Sequence, residues 1–259
     1  MRPKQQSWLG VSMSALLEVD GVTKSFGGVV ANQAISINVP LGAIVGLIGP
    51  NGSGKTTLFS SIVGAHPVDR GRIAFDGHDI TRLRVGAIAR LGLIRTYQQT
   101  RVFRDMDCMR NMLVSAPPAR DGVGAMFARF PVELEARAKA LLDFAGLYAK
   151  RHLRAGTLSF GQQKLLEFAM ALMREPKLLL LDEPTAGINP TLINQMVDRL
   201  RCANRDFGVT LLVIEHNMRA MMNLARYVYC LAHGELLAQG GPDEVRNDPR
   251  VIEAYLGMH

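Results

Sequence analysis

The sequence predicts an α/β fold whose core is interrupted by a helical section. Three observations carry this expectation. Residues 15 to 80 read as short strands punctuated by Gly, Pro and Asn, with one helix directly after a glycine-rich loop. Residues from about 88 to 174 carry apolar positions at helical spacing. Beyond 175, strands return in a strand-helix-strand rhythm, which implies parallel strands joined by crossover helices. The expected division is a loose tail at 1–14 and one domain at 15–259, with its core in 15–87 and 175–259 and an inserted helical subdomain at about 88–174.

Taken in order, LLEV, ISINV, AIVGLI and RIAFDG supply the early strands, and TTLFSSIVG is the helix among them. The insert is clearest in ELEARAKALLDFAGL and in KLLEFAMALMR, which follows Gly161. SAPPARDGVGAMFARFP, at 115 to 131, is broken repeatedly by Pro and Gly and predicts the most mobile loop. KLLLLD, VTLLVIE and RYVYCLAHGELLAQG then alternate with PTLINQMVDRLRCANRD and NMRAMMNLA.

At 259 residues and 48% hydrophobic content the chain can bury a proper core, which excludes a disordered class. Its longest apolar runs fall far short of the roughly 20 residues needed to cross a bilayer. The first residues lack the apolar stretch and cleavage site of a secretory signal. Cys108, Cys202 and Cys230 are far apart and show neither metal spacing nor a paired framework. Together these features point to the cytoplasm. The net charge of +7 suits an anionic membrane face, nucleic acid or a nucleotide, but it is spread without a dense block and by itself decides nothing.

GPNGSGKTT, at 49 to 57, stands between an apolar strand and a helix, the context that the pattern G-x-x-x-x-G-K-[ST] requires. Gly49, Gly52 and Gly54 let the backbone of a loop that also contains Pro50, Asn51 and Ser53 turn its N–H groups around phosphate oxygens. Lys55 reaches the terminal phosphates, the Thr56 hydroxyl is placed to ligate Mg²⁺, and the Thr57 amide at the helix N-terminus suits the α-phosphate.

LLLLDEPT, at 178 to 185, is a continuous apolar run that ends in two acids, as expected of a buried parallel strand opening on a ligand crevice. Strand alternation would send Asp182 and Glu183 to opposite faces, so they receive different roles. Asp182 is assigned to the shell of groups around Mg²⁺ and its direct ligands, and Glu183 to orienting or deprotonating the attacking water. VTLLVIEHNM repeats the design, with Glu215 and His216 after an apolar strand, and His216 is assigned to a γ-phosphate contact. TLSFGQQ, at 157 to 163, opens a helix behind Ser and Gly and reads as a further anion site.

In their order, GPNGSGKTT, LSFGQQ, LLLLDEP and IEHNM resemble the Walker A, signature, Walker B and switch-histidine motifs of ATP-binding cassette (ABC) ATPases. The likeness runs through nearly the whole chain from about Leu16, and the signature's place some twenty residues before Walker B separates this family from other P-loop enzymes. The implied fold is the P-loop NTPase fold of the ABC ATPases, with an N-terminal antiparallel β subdomain and an inserted helical subdomain. The resemblance also implies a head-to-tail dimer with two ATP molecules, in which Ser159, Phe160, Gly161 and Gln162 face the ATP of the opposite subunit. Phe26, in VTKSFGG, matches the aromatic that stacks on adenine. RTYQQ resembles the Q-loop, with Gln98 as the glutamine that senses Mg²⁺ and the lytic water. Two positions depart from the family pattern: Phe160 stands where many relatives have Gly, and Asn189 where the D-loop usually has Asp.

RTYQQTRVFRDMDCMRNMLV, DEPTAGINP, VIEHNM and NDPRVIEAYLG further resemble the ATPase subunits of branched-chain amino acid importers, the LivG type, a group that also serves urea, amides and aromatic acids. The implied partners are a second ABC ATPase subunit, identical or paralogous, transmembrane permease subunits and, indirectly, a periplasmic substrate-binding protein. No nucleic acid is expected, and the implied location is peripheral, on the cytoplasmic face of the inner membrane. The competing class is a soluble cassette ATPase acting on nucleic acid or ribosomes. Such proteins usually carry two cassettes or long coiled-coil or zinc insertions, and the sequence shows neither.

Overall fold

The structure is a computed structural model that describes residues 15–96, 101–117 and 130–256. The expected tail at 1–14, most of the expected mobile loop, and Gln98 with its neighbour Gln99 lie outside the described residues. In chain order the first elements are β1 (Ala15–Phe26), β2 (Val29–Pro40), β3 (Ile44–Ile48), α1 (Lys55–Ile62), β4 (Arg70–Phe75), β5 (His78–Asp79) and α2 (Val85–Arg90). They are followed by β6 (Leu93–Arg95), α3 (Cys108–Ser115), α4 (Val132–Phe144), α5 (Phe160–Leu172), β7 (Leu178–Asp182) and α6 (Pro190–Phe207). The last are β8 (Thr210–Ile214), α7 (Met218–Leu224), β9 (Tyr227–Ala232), β10 (Glu235–Gly240), α8 (Pro242–Asn247) and α9 (Pro249–Leu256).

Two compact units divide these elements. The first takes its described residues from Met1–Ile88, Thr210–Leu212 and Ala225–His259. Here β1 pairs antiparallel with β2 on one side and β4 on the other, and with β5 the order is β2-β1-β4-β5. This is the N-terminal antiparallel sheet implied by the resemblance. Alternation places Leu17, Val19, Ile35, Ile37, Ile73 and Phe75 in the core, and each such side chain contributes about 1.5–3 kcal/mol by leaving water.

The same unit also contains β10, β9, β3 and the first residues of β8, side by side in that order. β3 and β9 run parallel, with Val45 opposite Tyr227 and Ile48 opposite Cys230. β9 and β10 form a hairpin whose two turn residues, His233 and Gly234, both have positive φ, as a primed turn requires.

The second unit is Ala89–Val209 with Val213–Leu224. It contains β6 and β7 in parallel register, Leu93 opposite Leu178, beside the last residues of β8. α3, α4 and α5 pack on one another, as do α6 and α7. Phe144 anchors α4 through Phe168, 6.4 Å away between ring centres, and Phe207, 5.1 Å away.

The continuously apolar strands β3, β7 and β8 are buried at every position, as two-sided coverage demands. α6 starts at Asn189, whose Oδ1 accepts the Leu192 N–H at 2.9 Å, continues through Pro190 and stops at left-handed Gly208. The departure at the D-loop thus keeps a helix-capping acceptor. None of the described helices is long and apolar enough to cross a membrane.

Candidate nucleotide-binding site

In the first unit, β3 runs into a loop that only glycine could build at two points. Gly49 has φ 146°, and a Cβ there would lie 2.1 Å from the Leu231 carbonyl oxygen. Gly54 has φ 95°, and its Cβ would meet the Ala31 carbonyl oxygen at 2.2 Å. Buried Asn32 steadies the loop's far end, its Nδ2 donating to the Gly54 carbonyl at 3.1 Å.

Lys55 Nζ folds back over the loop and donates to the carbonyls of Gly49 and Pro50, both at 2.8 Å, and to Ser53 Oγ at 3.4 Å. These three bonds hold the ammonium group over the loop. α1 has no side-chain cap at Gly54 and no acid in its first turn, so its terminal N–H groups and dipole favour an incoming anion. Thr56 is exposed there and Thr57 half-buried. Beside Asn51, Gly52 and Ser53 opens a cavity of about 530 Å³, also lined by His233, Arg250 and Glu253.

Phe26 ends β1 and is 44% exposed, which leaves surface for stacking. His66 meets it edge-on at 5.2 Å, and Lys24 Nζ lies 5.1 Å from the ring centre.

In the second unit, Asp182 closes β7 and is 3% exposed. Its Oδ2 is 2.7 Å from Nη2 of Arg95, whose side chain is also largely buried. Glu183 corrects the expected alternation. It lies past the strand in the left-handed region, φ 52°, so the turn and not the pleat separates its direction from that of Asp182. Such a conformation in a non-glycine residue costs on the order of 1–3 kcal/mol and collects at functional sites. It is held by the Glu183 amide donating to the Ile214 carbonyl at 2.9 Å and by Lys164 Nζ donating to the Glu183 carbonyl at 3.1 Å. The Glu183 carboxylate Oε1 lies 2.8 Å from His216 Nε2, which brings together the two residues assigned to water and γ-phosphate.

Glu215, given no role by the sequence, is 2% exposed. Oε1 accepts the Thr185 amide at 2.7 Å, and Oε2 accepts that of Asn217 at 3.4 Å, tying the turn after β7 to the turn after β8. Burial pushes its carboxyl above the usual range, against the pull of those amides. Glu215→Ala would leave two amides without acceptors, and thermal or denaturant unfolding should register a loss of about 2 kcal/mol.

Ser159 caps α5. Its Oγ accepts the Gln162 amide at 3.3 Å, and Gln162 Oε1 accepts the Ser159 amide at 3.2 Å, a complete capping box. Ser159 and Phe160 are exposed, whereas Gly161 is buried. A Cβ on Gly161 would meet Leu192 Cδ1 at 2.5 Å, and one on Gly187 would meet Phe160 Cε1 at 2.9 Å. The phenylalanine that departs from the family pattern thus packs on the glycine of the D-loop segment.

On the phosphate-loop side, the Thr56 hydroxyl is a hard oxygen donor of the kind Mg²⁺ takes. Among the described residues no three His, Cys, Asp or Glu side chains gather in a metal cluster. A Mg²⁺ ion would therefore complete its shell with phosphate oxygens and water, as cations delivered with nucleotides do. The residues present fit that group.

A solved ATP-binding cassette of an ABC transporter, in its ADP conformation, matches this structure with a TM-score of 0.84 and 32% identity, over 94% of this chain and 99% of that one. By fold, the protein is an ATP-binding cassette. Residues 32–186 match the ABC transporter family, and residues 235–257 match the branched-chain amino acid ATP-binding cassette transporter family. The probable branched-chain amino acid transport ATP-binding protein LivG of Archaeoglobus fulgidus is 35% identical, with 93% of this chain and 95% of that protein covered. The high-affinity branched-chain amino acid transport ATP-binding protein BraF of Pseudomonas aeruginosa is 36% identical, with coverage of 93% and 98%. The chain belongs to the ABC transporter family.

Proposed function

We propose that this chain is the ATP-hydrolysing subunit of a membrane importer for branched-chain or closely related amino acids. The observation that carries the reading is the joint match of the cassette at 32–186 and of the C-terminal segment at 235–257 to transporter families. Likeness to LivG and BraF over almost the full length of each supports the substrate class.

In this reading Lys55 leaves the carbonyls of Gly49 and Pro50 for the β- and γ-phosphates, and the loop amides and the α1 N-terminus hold the remaining charge. Phe26 offers its exposed face to adenine. Thr56 and Asp182, with Gln98, would hold Mg²⁺, which supplies neutralisation of phosphate charge when bound. Glu183 orients and polarises the attacking water, and His216, whose Nε2 lies 2.8 Å from the Glu183 carboxylate, steadies the γ-phosphate. Catalysis is then mostly positioning and preorganised charge.

Two subunits, identical or paralogous, would pair head to tail so that Ser159, Phe160, Gly161 and Gln162 meet the partner's nucleotide. The helical segment at about 88–174 would receive the permease on the cytoplasmic face of the membrane. A periplasmic binding protein would deliver the substrate. Ser159 is exposed, so Ser159→Arg tests the arrangement. ATP should still bind to the single chain, while turnover by the assembled transporter should fall at least about tenfold; unchanged turnover would remove Ser159 from the shared site.

Copurification from native membranes tests the function as a whole. Permease subunits and an amino-acid-binding protein should accompany the chain. Recovery of only ribosomal or nucleic-acid partners would favour the soluble-ATPase class, and a binding protein specific for urea, amides or aromatic acids would redirect the substrate.

A further inference from the structure

The segment 235–257 that carries the second family match ends in a helix joined to the phosphate loop. α8 is anchored by buried Val245 and α9 by buried Val251. Tyr255 stands four residues after Val251, hence on the same helical face, while Ile252 and Leu256 are exposed. The Gly49 amide donates to the Tyr255 hydroxyl oxygen at 2.8 Å.

That amide has a particular need for an acceptor. The parallel register of β3 and β9 ends with Ile48 opposite Cys230, so Gly49 is the first residue past the paired strand. It lies close enough to Leu231 to exclude any side chain. On its other side, the Gly49 carbonyl accepts from Lys55. Both peptide groups of the loop's first residue are thus oriented by hydrogen bonds, but the two bonds differ in fate. The lysine bond has to open when Lys55 turns to a phosphate, whereas the tyrosine bond holds the opposite edge of the glycine and does not compete with an anion.

We infer that Tyr255 is a positioning residue for the phosphate loop, holding the Gly49 amide so that the loop keeps its curvature when Lys55 releases it; this rests on the ATP-binding reading above. Tyr255 therefore acts on nucleotide affinity through the Gly49 amide rather than by contact of its own with nucleotide. Burial pushes the phenol up to about 12, so the group stays neutral and the contact is insensitive to pH across the physiological range.

Tyr255→Phe in the full chain removes only the hydroxyl. ATP and ADP, titrated by calorimetry in the presence of Mg²⁺, should bind about 3- to 10-fold more weakly, the worth of one net hydrogen bond. In the transporter, KM for ATP should rise by a similar factor, with kcat at saturating ATP within about twofold of the parent. Amide exchange at Gly49 in the nucleotide-free chain should quicken by a comparable factor. Ile252→Ala, on the exposed face of the same helix, should change none of these. Parent-like affinity together with parent-like Gly49 exchange in Tyr255→Phe would overturn the inference, as would a fall in kcat with affinity intact. If the parent chain bound no nucleotide, the ATP reading would fail, and Gly49 exchange would still decide whether Tyr255 holds the loop.

Discussion

Glu183→Gln is expected to lower the rate of ATP hydrolysis by at least about a hundredfold while leaving ATP affinity within a few-fold of the parent. The substitution keeps side-chain length and the left-handed backbone at residue 183, where φ is 52°, so it adds no new strain. It removes the charge and basicity of the carboxylate that sits 2.8 Å from His216. A neutral amide can still hydrogen-bond to a water molecule but cannot draw its proton, and loss of a positioned base typically costs on the order of 10²–10⁴ in rate. Phosphate release at saturating ATP, set beside equilibrium binding, separates the two effects. With two nucleotides bound and uncleaved, the dimer should accumulate and be visible by sedimentation. Hydrolysis at the parent rate would assign water activation to another group.

Arg95→Ala should produce the largest loss of stability among these variants. Arg95 and Asp182 are 6% and 3% exposed, so little solvent screens the pair. Removing the arginine takes away the ion-pair partner of a buried carboxylate, at a cost of about 3–5 kcal/mol. For a chain of this size that corresponds to a fall in Tm of about 6–20 °C. Arg95→Lys, which keeps the charge but not the planar fork, should lose less. If Asp182 is the Mg²⁺ ligand proposed above, MgATP should recover more stability in Arg95→Ala than in the parent, because the cation supplies the missing positive charge. Thermal unfolding with and without MgATP tests both points. An unchanged Tm would mean that water reaches the pair freely, and equal recovery in both proteins would argue against Asp182 as a ligand.

The legible part of the site consists of chemistry carried by neighbours in sequence. A phosphate loop needs glycines and a lysine within nine residues, so GPNGSGKTT announces itself. The helix start at TLSFGQQ is legible in the same way, and the structure adds that Ser159 and Gln162 close a capping box there. LLLLDEPT reveals a buried strand with acids at its end because two-sided burial requires an unbroken apolar run. Strand alternation, however, misplaced Glu183, since periodicity says nothing about where a strand stops. The left-handed turn is held by Lys164, by Ile214 and, one residue on from Pro184, by Glu215 binding Thr185.

By itself, the sequence determined the α/β class, the phosphate loop and the strand-end carboxylates. Each follows from local spacing, turn chemistry or burial pattern. Only the tertiary structure decided that Asp182 pairs with Arg95, 87 residues earlier, and that the Gly49 amide rests on Tyr255, 206 residues later. It likewise decided that Phe160 lies on Gly187. The physical reason is that a buried charge or amide must find a partner wherever the fold brings one within about 3 Å. Arginine or tyrosine at those positions carries no local mark of that need, because the partner is chosen by the packing of strands and helices far apart in the chain.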